Sequence, residues 1–355
     1  MPLFDIYDQA VLTELVNQPV DTALEQAPFL GEQIAPTQDQ ESRMARMDIG
    51  RQYSFGIGQF KAPNAMPSLV EMPVTERQEA LVEMAQLEEM HRINSEQWMK
   101  LNSTDEFISN SEGLDVVSRG QVLRRRLERL TEWMRWQAFT TGSLTITYPR
   151  TNSQIFIDYG FLPGHLPTVS TLWTDTVNAD PVADLEALQL QMATDSGYLG
   201  RRIHLTSYSA KLILNNAKLK GYFNVPTGTP FRATLEQVAQ LLAEGTEFIV
   251  HDAGFRPMAS GADRSEAAHT RYLPNNLVMI TTEYQIEGEN IADTLNGQVE
   301  IGTDYNETEI QQGPSSEVLL DNMTKNRYPR EAAARITRII HPECFITATV
   351  SAFQA

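Results

Sequence analysis

A long amphipathic helix is the feature of this sequence that most restricts the possible fold. Apolar side chains recur at helical spacing through residues 118–141. The stripe consists of Leu123, Leu127, Leu130, Met134 and Ala138, widened by Trp133 and Trp136. Ser118 is suited to cap the start of this helix, and Gly142 is suited to end it in the left-handed conformation. A helix of this length extends roughly 30–35 Å and is the clearest element predicted along the chain.

Short helices and strands are predicted to alternate along the rest of the chain. The predicted helices span residues 7–18, 76–102, 181–196, 207–217 and 234–243, and the predicted strands span residues 143–148, 154–158, 202–206, 247–251, 277–282, 333–340 and 345–353. Residues 290–314 are polar and rich in glycine, asparagine and threonine, which predicts an exposed loop or hairpin. Because 355 residues exceed one compact core, we expect an α+β fold with two or three lobes.

The first 75 residues differ from the rest because they contain few sustained periodic runs. Five prolines interrupt residues 28–73, so this part of the chain is expected to gain its order from something outside itself. Residues 51–61 predict a β-hairpin, with Tyr53, Phe55 and Phe60 around a Gly-Ile-Gly turn and Lys61 close to the tip. These four side chains are candidates for contact with a neighbouring subunit.

The charge of the chain argues against nucleic acid as its primary partner. The formal net charge is -18, so the chain lacks the field that draws a protein onto phosphate. The one basic run, residues 124–126, predicts either a nucleic-acid contact or ion pairs. The predicted ion pairs on the helix surface are Arg124 with Glu128 and Glu132 with Arg135. The side chains of Arg125 and Arg126 would remain free for acidic residues of a neighbour. The helix candidates for subunit contact are Arg124, Arg125, Arg126, Glu128 and Arg135.

Catalytic motifs are absent from the sequence, and the best metal-binding pattern is weak. His251 and Asp252, followed by Asp263, Glu266 and His269, would gather a divalent metal if the intervening loop folded back. The alternative is a strand that ends in a polar surface loop. A single cysteine, Cys344, forms neither an intramolecular disulfide nor a cysteine-based zinc site. The interpretation we favour is therefore a non-enzymatic protein without cofactor or metal, whose partner is another copy of itself.

Three segments of the chain, taken in order, resemble one known family. The first runs from Arg124-Arg125-Arg126-Leu127 through Trp136-Gln137-Ala138-Phe139-Thr140-Thr141-Gly142 into a strand. The second is Tyr272-Leu273-Pro274-Asn275-Asn276-Leu277-Val278-Met279-Ile280, and the third runs from Arg327-Tyr328-Pro329-Arg330 through His341-Pro342-Glu343-Cys344-Phe345. Their order and spacing resemble those of tailed-phage major capsid proteins of the phage lambda head-protein type, from about residue 118 to the end.

The resemblance implies the tailed-phage major capsid fold. Its parts would be an N-terminal arm (1–49), an extended β-hairpin loop (50–75), a peripheral domain that includes the spine helix 118–141 (76–179), an axial domain near the symmetry axes (180–330), and a C-terminal strand that returns to the peripheral domain (331–355). The resemblance further implies a long peripheral sheet built from residues 143–158 and the last strand.

The resemblance also implies partners and a location. Such subunits form hexamers and pentamers of an icosahedral head around double-stranded DNA, without a cofactor. They assemble first as a procapsid with a scaffolding protein and a portal in the host cytoplasm, and they end in the virion capsid. The chain has no long, charged, helical N-terminal extension, so we expect a separate scaffold. A decoration protein is possible in such a head, and no membrane contact is expected because no stretch approaches roughly 18–20 apolar residues.

Other classes of protein remain open at this point. An encapsulin-like cellular shell protein would share the fold and would carry a cargo-docking groove on its inner wall. A two-domain metal-dependent hydrolase would use His251, Asp252 and His269. A phage tail or adhesion component would show repeats or β-rich modules, which the sequence lacks.

Overall fold

The computed structural model describes residues 16, 29–49, 78–101, 103, 106–148, 154–223, 232–256, 269–286, 288–304, 307–320 and 327–352. The predicted hairpin at residues 51–61, with Tyr53, Phe55, Phe60 and Lys61, lies outside the described residues. So does the predicted helix at 7–18, apart from Val16. Of the weak metal-binding pattern, Asp263 and Glu266 also lie outside them.

Seven α-helices are found in the described ranges: α1 (Leu30–Ile34), α2 (Ser95–Leu101), α3 (Glu106–Thr141), α4 (Pro181–Ser196), α5 (Ser207–Leu214), α6 (Leu219–Tyr222) and α7 (Leu235–Ala239). The first ten strands are β1 (Thr37–Asp39), β2 (Met44–Ile49), β3 (Gln78–Glu83), β4 (Ala85–Met90), β5 (Ser143–Thr147), β6 (Gln154–Asp158), β7 (Arg202–Leu205), β8 (Glu247–Val250), β9 (Gly254–Phe255) and β10 (Thr270–Arg271). The remaining strands are β11 (Leu277–Thr281), β12 (Gln285–Ile286), β13 (Glu289–Asn290), β14 (Ala292–Asn296), β15 (Gln298–Asp304), β16 (Glu307–Gln312), β17 (Ser315–Leu320), β18 (Arg327–Ile339) and β19 (Phe345–Thr349).

The predicted long helix is present, but it is longer than its sequence pattern indicated. Helix α3 has 36 residues and therefore extends about 54 Å. Ser118 does not cap it: this residue lies within the helix, and its hydroxyl donates to the Asp115 carbonyl at 2.9 Å. Glycine, serine and asparagine are poor helix formers, and they hide the first turns of α3 in the sequence. Gly142 ends the helix with φ 66°, as predicted.

One position of the predicted apolar stripe is wrong. Leu130 is 41% exposed, whereas Leu127 and Met134 are buried as expected. The buried face of α3 instead includes polar side chains at Thr131, Glu132 and Arg135. Apolar periodicity alone cannot reveal such a face, because the pattern counts only hydrophobic residues.

The predicted helix at residues 76–102 is wrong. This segment forms strands β3 and β4, and only its end, α2, is helical. The leucines and methionines fall at helical spacing by coincidence: Leu81 is 71% exposed and Met90 is 52% exposed. Strand β4 pairs antiparallel with β18, from Ala85 opposite Arg335 to Met90 opposite Arg330. A distant partner strand, which the local sequence does not show, therefore determines the conformation of this segment.

The first sheet is built around the 13-residue strand β18. Strands β1, β14, β18 and β17 are hydrogen-bonded in that order, and β4 also pairs with β18. Helix α3 packs across this sheet and forms a core with residues such as Ala292, Ala333 and Ile336. The expected exposed loop at residues 290–314 is right only for the hairpin β15–β16. Strand β14 is entirely buried, because its polar side chains find partners within the fold.

The second sheet has the order β19-β11-β7-β8, and β7 and β8 run parallel. Helices α4 to α7 cover one of its faces and form a second core. Helix α4 has the predicted ends: Asp180 caps it and Gly197 closes it with φ 77°. The expectation that the last strand joins residues 143–158 in one sheet is wrong. Strand β19 pairs with β11, while β5 and β6 pair with each other.

Strand β11 connects the two cores. Its side chains alternate between the two faces of the second sheet, so Met279 packs in the core of α3 whereas Val278 and Ile280 pack in the second core. Strand β19 does the same: the Phe345 ring stacks on Phe139 of α3 with ring centroids 5.4 Å apart. Across the described ranges, no helix combines the length and hydropathy needed to cross a lipid bilayer.

Candidate functional site, a charge network between the long helix and the central strand

A buried row of charged side chains joins helix α3 to strand β18. We call this row the charge network. Its members are Arg124, Glu128, Glu132 and Arg135 on the helix, and Glu331 and Arg335 on the strand. The helix residues follow at steps of three or four positions, so they share one face of α3. Glu331 and Arg335 are separated by an even number of positions and share one face of β18. The fold therefore brings three acidic and three basic side chains together.

The closest link between helix and strand is the pair Glu128–Arg335. The two guanidinium nitrogens of Arg335 donate to the Glu128 carboxylate at 2.7 and 2.9 Å, the bidentate geometry that gives strong ion pairs. Arg335 also donates to the Thr131 hydroxyl at 3.1 Å. Burial alone would raise the pKa of Glu128, but the hydrogen bonds and charge of Arg335 and of nearby arginines lower it below its ordinary value. The Glu128 carboxylate is therefore held in its charged form.

Glu132 connects the N-terminal part of the chain to the helix. Its carboxylate accepts hydrogen bonds from the Gly31 backbone N–H at 2.7 Å and the Trp136 indole N–H at 2.7 Å. Arg135 donates to the same carboxylate at 3.2 Å. Burial raises the pKa of Glu132 despite the charge of Arg135 and these hydrogen bonds. Helix α1 is thus fixed to α3 through one carboxylate.

Arg135 extends this connection to the first sheet. Its guanidinium donates to the Thr294 hydroxyl of β14 and to the Thr37 hydroxyl of β1, both at 2.9 Å. The side chain is 1% exposed, so its cost of burial is offset by partners on three separate elements. Arg135 therefore has a structural role inside the chain.

Glu331 is the least neutralised member of the charge network. It is 2% exposed, it accepts a hydrogen bond from the Ser316 hydroxyl at 2.7 Å, and its nearest cation is Arg124 at 4.0 Å. Burial raises the pKa of Glu331 to about 7, because the Ser316 hydrogen bond and the Arg124 charge only partly offset it. The charge of the network therefore changes near neutral pH.

The structure distinguishes among the helix residues that the sequence analysis named. The ion pairs Arg124–Glu128 (3.5 Å) and Glu132–Arg135 (3.2 Å) are confirmed. The expectation that Arg126 stays free is wrong, because this side chain donates to Glu89 at 2.7 Å. Arg125 is partly exposed, and no partner for it is found among the described residues.

Sequence reasoning missed the residues that complete the charge network. Arg335 lies in the predicted strand 333–340 and Glu331 lies just before it, and Arg335 is 207 positions away from Glu128. The one available signal was a pair of charged residues inside a strand of alanine and isoleucine. That signal shows an unusual strand but does not identify its partner.

Among the described residues, His251 and Asp252 do not form the metal-binding group that the alternative interpretation required. The Nε2 atom of His251 lies 2.9 Å from Nδ1 of His204, and the rings of His251 and Trp136 are T-shaped to each other with centroids 4.6 Å apart. Burial lowers the pKa of His251 to about 4, so the ring is neutral at physiological pH. Asp252 accepts hydrogen bonds from the backbone N–H and hydroxyl of Ser207. His269 is exposed, and within the described ranges no three acidic, histidine or cysteine residues are grouped to hold a metal ion.

Two solved structures have the same fold along nearly the whole chain. One is a protein assigned as the capsid protein of a prophage in Escherichia coli CFT073, with 12% identity, coverage of 97% of this chain and 99% of that one, and a TM-score of 0.58. The other is a phage-related protein from Bordetella bronchiseptica RB50, with 14% identity, coverage of 98% of both chains and a TM-score of 0.54. At these identities the similarity demonstrates the fold alone. No curated protein sequence matches the chain significantly.

The family model described as phage major capsid protein E matches residues 70–310. This range is about two thirds of the 355 residues. It contains α3, the strands β4 and β14 that pair with β18, and three strands of the second sheet. The match confirms the resemblance to phage capsid proteins, and it makes the chain a structural subunit of a phage capsid, not an enzyme. The chain belongs to the phage major capsid protein E family.

Proposed function

We propose that this capsid protein assembles into hexamers and pentamers that close an icosahedral head around double-stranded DNA. The observation that carries the proposal is the family match over residues 70–310. The fold also supports this role. Helix α3 has 36 residues, and the charge network joins it to β18 along its buried face. A stiff element of about 54 Å suits a subunit that must pass load to its neighbours.

We infer a division of the chain into a peripheral and an axial part. The strand pairings and the two cores support this division: α3 packs with the β18 sheet, which we take as the peripheral part, and α4 to α7 pack with the second sheet, which we take as the axial part. In this proposal residues 1–49 are the N-terminal arm and residues 50–75 the extended loop. The boundaries 76–179, 180–330 and 331–355 then need two adjustments, since β14 and β17 belong with the peripheral sheet and β19 belongs with the axial one.

Contacts between subunits are proposed for the loop and for one residue of the helix. Tyr53, Phe55, Phe60 and Lys61 of the loop would lie over a neighbouring copy. Arg125 is proposed as the helix contact, because its side chain is partly exposed and finds no partner among the described residues. For Arg124, Glu128 and Arg135, intrachain partners favour a different role, in which they hold α3 in place for assembly.

The proposed partners are a separate scaffolding protein and a portal during assembly in the host cytoplasm, with a decoration protein as a further candidate. The net charge of -18 supports a wall that lies near packaged DNA without binding a particular sequence, since an acidic surface does not attract phosphate.

The first test is the size of the assembly. The chain is produced alone and together with scaffold and portal proteins, and the products are examined by sedimentation velocity and negative-stain electron microscopy. We expect closed shells, or sheets of hexamers, and we expect deletion of residues 50–65 to abolish them while the circular dichroism spectrum is retained.

A stable monomer or dimer with every partner would contradict the proposal. The contents of the particles distinguish a phage head from the alternative, an encapsulin-like shell. A phage head takes up DNA through a portal, whereas an encapsulin-like shell encloses protein cargo.

A further inference from the structure

The axial part of the chain separates its charges along the sequence. Residues 207–232 contain Lys211, Lys218, Lys220 and Arg232 and no acidic residue. Residues 233–252 contain Glu236, Glu244, Glu247 and Asp252 and no lysine or arginine. Two adjacent segments therefore carry four positive and four negative charges, within a chain whose net charge is -18.

The positive segment follows strand β7 in the chain, and its lysines are exposed. Helix α5 begins at Ser207, directly after β7 ends at Leu205. Lys211 of α5 and Lys220 of α6 are exposed, and Lys218 makes only a loose ion pair with Asp180 at 3.7 Å. We call Lys211, Lys218 and Lys220 the lysine face.

The negative segment surrounds an open cleft of about 600 Å³ between α7 and β8. Glu236, Glu244 and Glu247 are exposed at this cleft, and we call it the acidic cleft. Leu235, Leu242 and Phe248 give it an apolar lining. Strand β8 beside it is the edge of the second sheet in the described part of the chain, with β7 as its partner. The opposite edge, β19, is partly covered through the bridge between Thr168 and Thr349.

The start of α5 and the residue Glu247 of the cleft lie at opposite ends of β7. Glu247 donates its backbone N–H to the Arg201 carbonyl at 2.7 Å, beside the start of β7, whereas α5 follows the other end. Four residues of strand separate the two ends, a distance of about 13 Å. Two complementary surfaces at different places on one chain favour a head-to-tail contact between copies, and such contacts form a ring when the rotation from one copy to the next closes.

We propose that the lysine face of one copy docks into the acidic cleft of the next copy around each ring of subunits. The proposal rests on the shell-forming role of the chain and specifies the contact that role uses in the axial part. A second copy is the occupant that the charges favour, because the lysine face supplies three exposed lysines and the acidic cleft three exposed glutamates, and every neighbour in a shell is another copy of the same chain. An apolar lining and an open sheet edge provide further area to bury at such a contact.

Charge reversal with rescue tests this contact. The cleft variant carries Glu244→Lys and Glu247→Lys, the face variant carries Lys211→Glu and Lys220→Glu, and the swapped variant carries all four changes. All four side chains are exposed, so each variant is expected to fold, which circular dichroism and thermal unfolding check. We expect the cleft and face variants each to raise the protein concentration needed for assembly by roughly tenfold or more. We expect the swapped variant to assemble near the wild-type concentration.

Co-production of the cleft and face variants gives a second readout. An alternating ring pairs every reversed cleft with a reversed face, so rings with an even number of copies satisfy all contacts. A ring of five leaves one like-charged contact. We therefore expect the mixture to form hexamer sheets or tubes in preference to closed shells.

The outcomes separate this contact from the proposed function. If wild-type protein forms shells and the cleft and face variants form them at the same concentration, the contact is wrong and the shell-forming role stands. If the swapped variant folds but assembles no better than the variants it combines, the contact is also wrong, and a partner other than a second copy uses these surfaces. If wild-type protein forms no shell with any partner, the proposed function itself fails.

Discussion

Gly31 and Glu132 approach so closely that no side chain fits between them. The Gly31 N–H donates to the Glu132 carboxylate at 2.7 Å, and a Cβ atom on Gly31 would lie 2.7 Å from both carboxylate oxygens. Glu132 cannot move away easily, because Trp136 and Arg135 hold the same carboxylate. The position of α1 on α3 therefore depends on a glycine.

Replacing Gly31 with alanine should loosen α1 from the long helix. We expect Gly31→Ala to lower the free energy of unfolding by about 1–3 kcal/mol, because the added methyl group displaces a buried, hydrogen-bonded carboxylate. Urea unfolding measures the change. Gly221→Ala is the matched control, since a Cβ there meets no atom within 4 Å, and it should be neutral or slightly stabilising. Equal stability of the two variants would contradict the role assigned to Gly31.

Removing one partner of the Glu128–Arg335 pair should destabilise the joint between helix and strand. We expect Arg335→Met to lower the free energy of unfolding by about 2 kcal/mol, because the partly buried Glu128 carboxylate loses its bidentate partner. The double variant Arg335→Met with Glu128→Leu should lose less than the sum of the single changes. The exposed pair Arg201–Glu283, with side-chain exposures of 47% and 63%, is the control, and Glu283→Gln should cost less than about 1 kcal/mol. Additive single effects at Glu128 and Arg335 would contradict a direct pair.

Glu331 should make stability fall as pH rises toward neutrality. Its pKa is raised to about 7 in the folded chain, whereas an unfolded glutamate has a pKa of about 4.3. Between these values the folded state binds a proton that the unfolded state has lost, so the stabilising contribution of Glu331 is full at low pH and is lost as pH rises to about 7. Glu331→Gln removes this loss while keeping an acceptor for Ser316.

Urea unfolding of wild type and Glu331→Gln between pH 4 and 8 measures the effect. Relative to wild type, the variant should gain stability from pH 4.5 to 7, by up to about 3 kcal/mol, and the gain should then level off. A difference that does not change over this range would show that Glu331 titrates as an ordinary glutamate.

His251, which is buried beside His204, should make stability fall as the pH decreases. Burial lowers the pKa of His251 to about 4, below the unfolded value of about 6.5. The unfolded state therefore binds the extra proton between these values, and the stability that His251 contributes above pH 6.5 is lost as pH falls through about 4. We expect His251→Asn to weaken the acid-induced loss of stability between pH 6.5 and 4, whereas the exposed His269→Asn should leave it unchanged. Equal acid sensitivity of wild type and His251→Asn, measured by urea unfolding, would exclude His251 as its source.

Local signals in the sequence predicted the parts of the fold that depend on neighbouring residues. The bounds of the helix at 181–196 and the end of the long helix at Gly142 were predicted correctly, because caps and left-handed glycines depend on a few adjacent positions. Strand β4 was missed because its conformation depends on β18, more than 240 positions further along the chain. Intrinsic preference is weak beside such pairing.

The charge network was predicted only in part, for the same reason. Arg124 and Glu128 are four positions apart on one helix, so their ion pair is visible in the sequence. Arg335 and Gly31 reach the network through the tertiary fold, and nothing near either residue in the sequence indicates its partner. Family resemblance supplied the overall architecture, but it did not supply these contacts.

Strand β11 contributes side chains to both hydrophobic cores, and this limits how the subunit can deform. Met279 faces one core while Val278 and Ile280 face the other, so a slip of one residue would exchange the linings of both. The packing of one core therefore cannot change at β11 without a change in the packing of the other. In the proposed head, a load on one part of the subunit should therefore be transmitted to the other part through β11. Any change in the size of such a head should then occur at the contacts between copies.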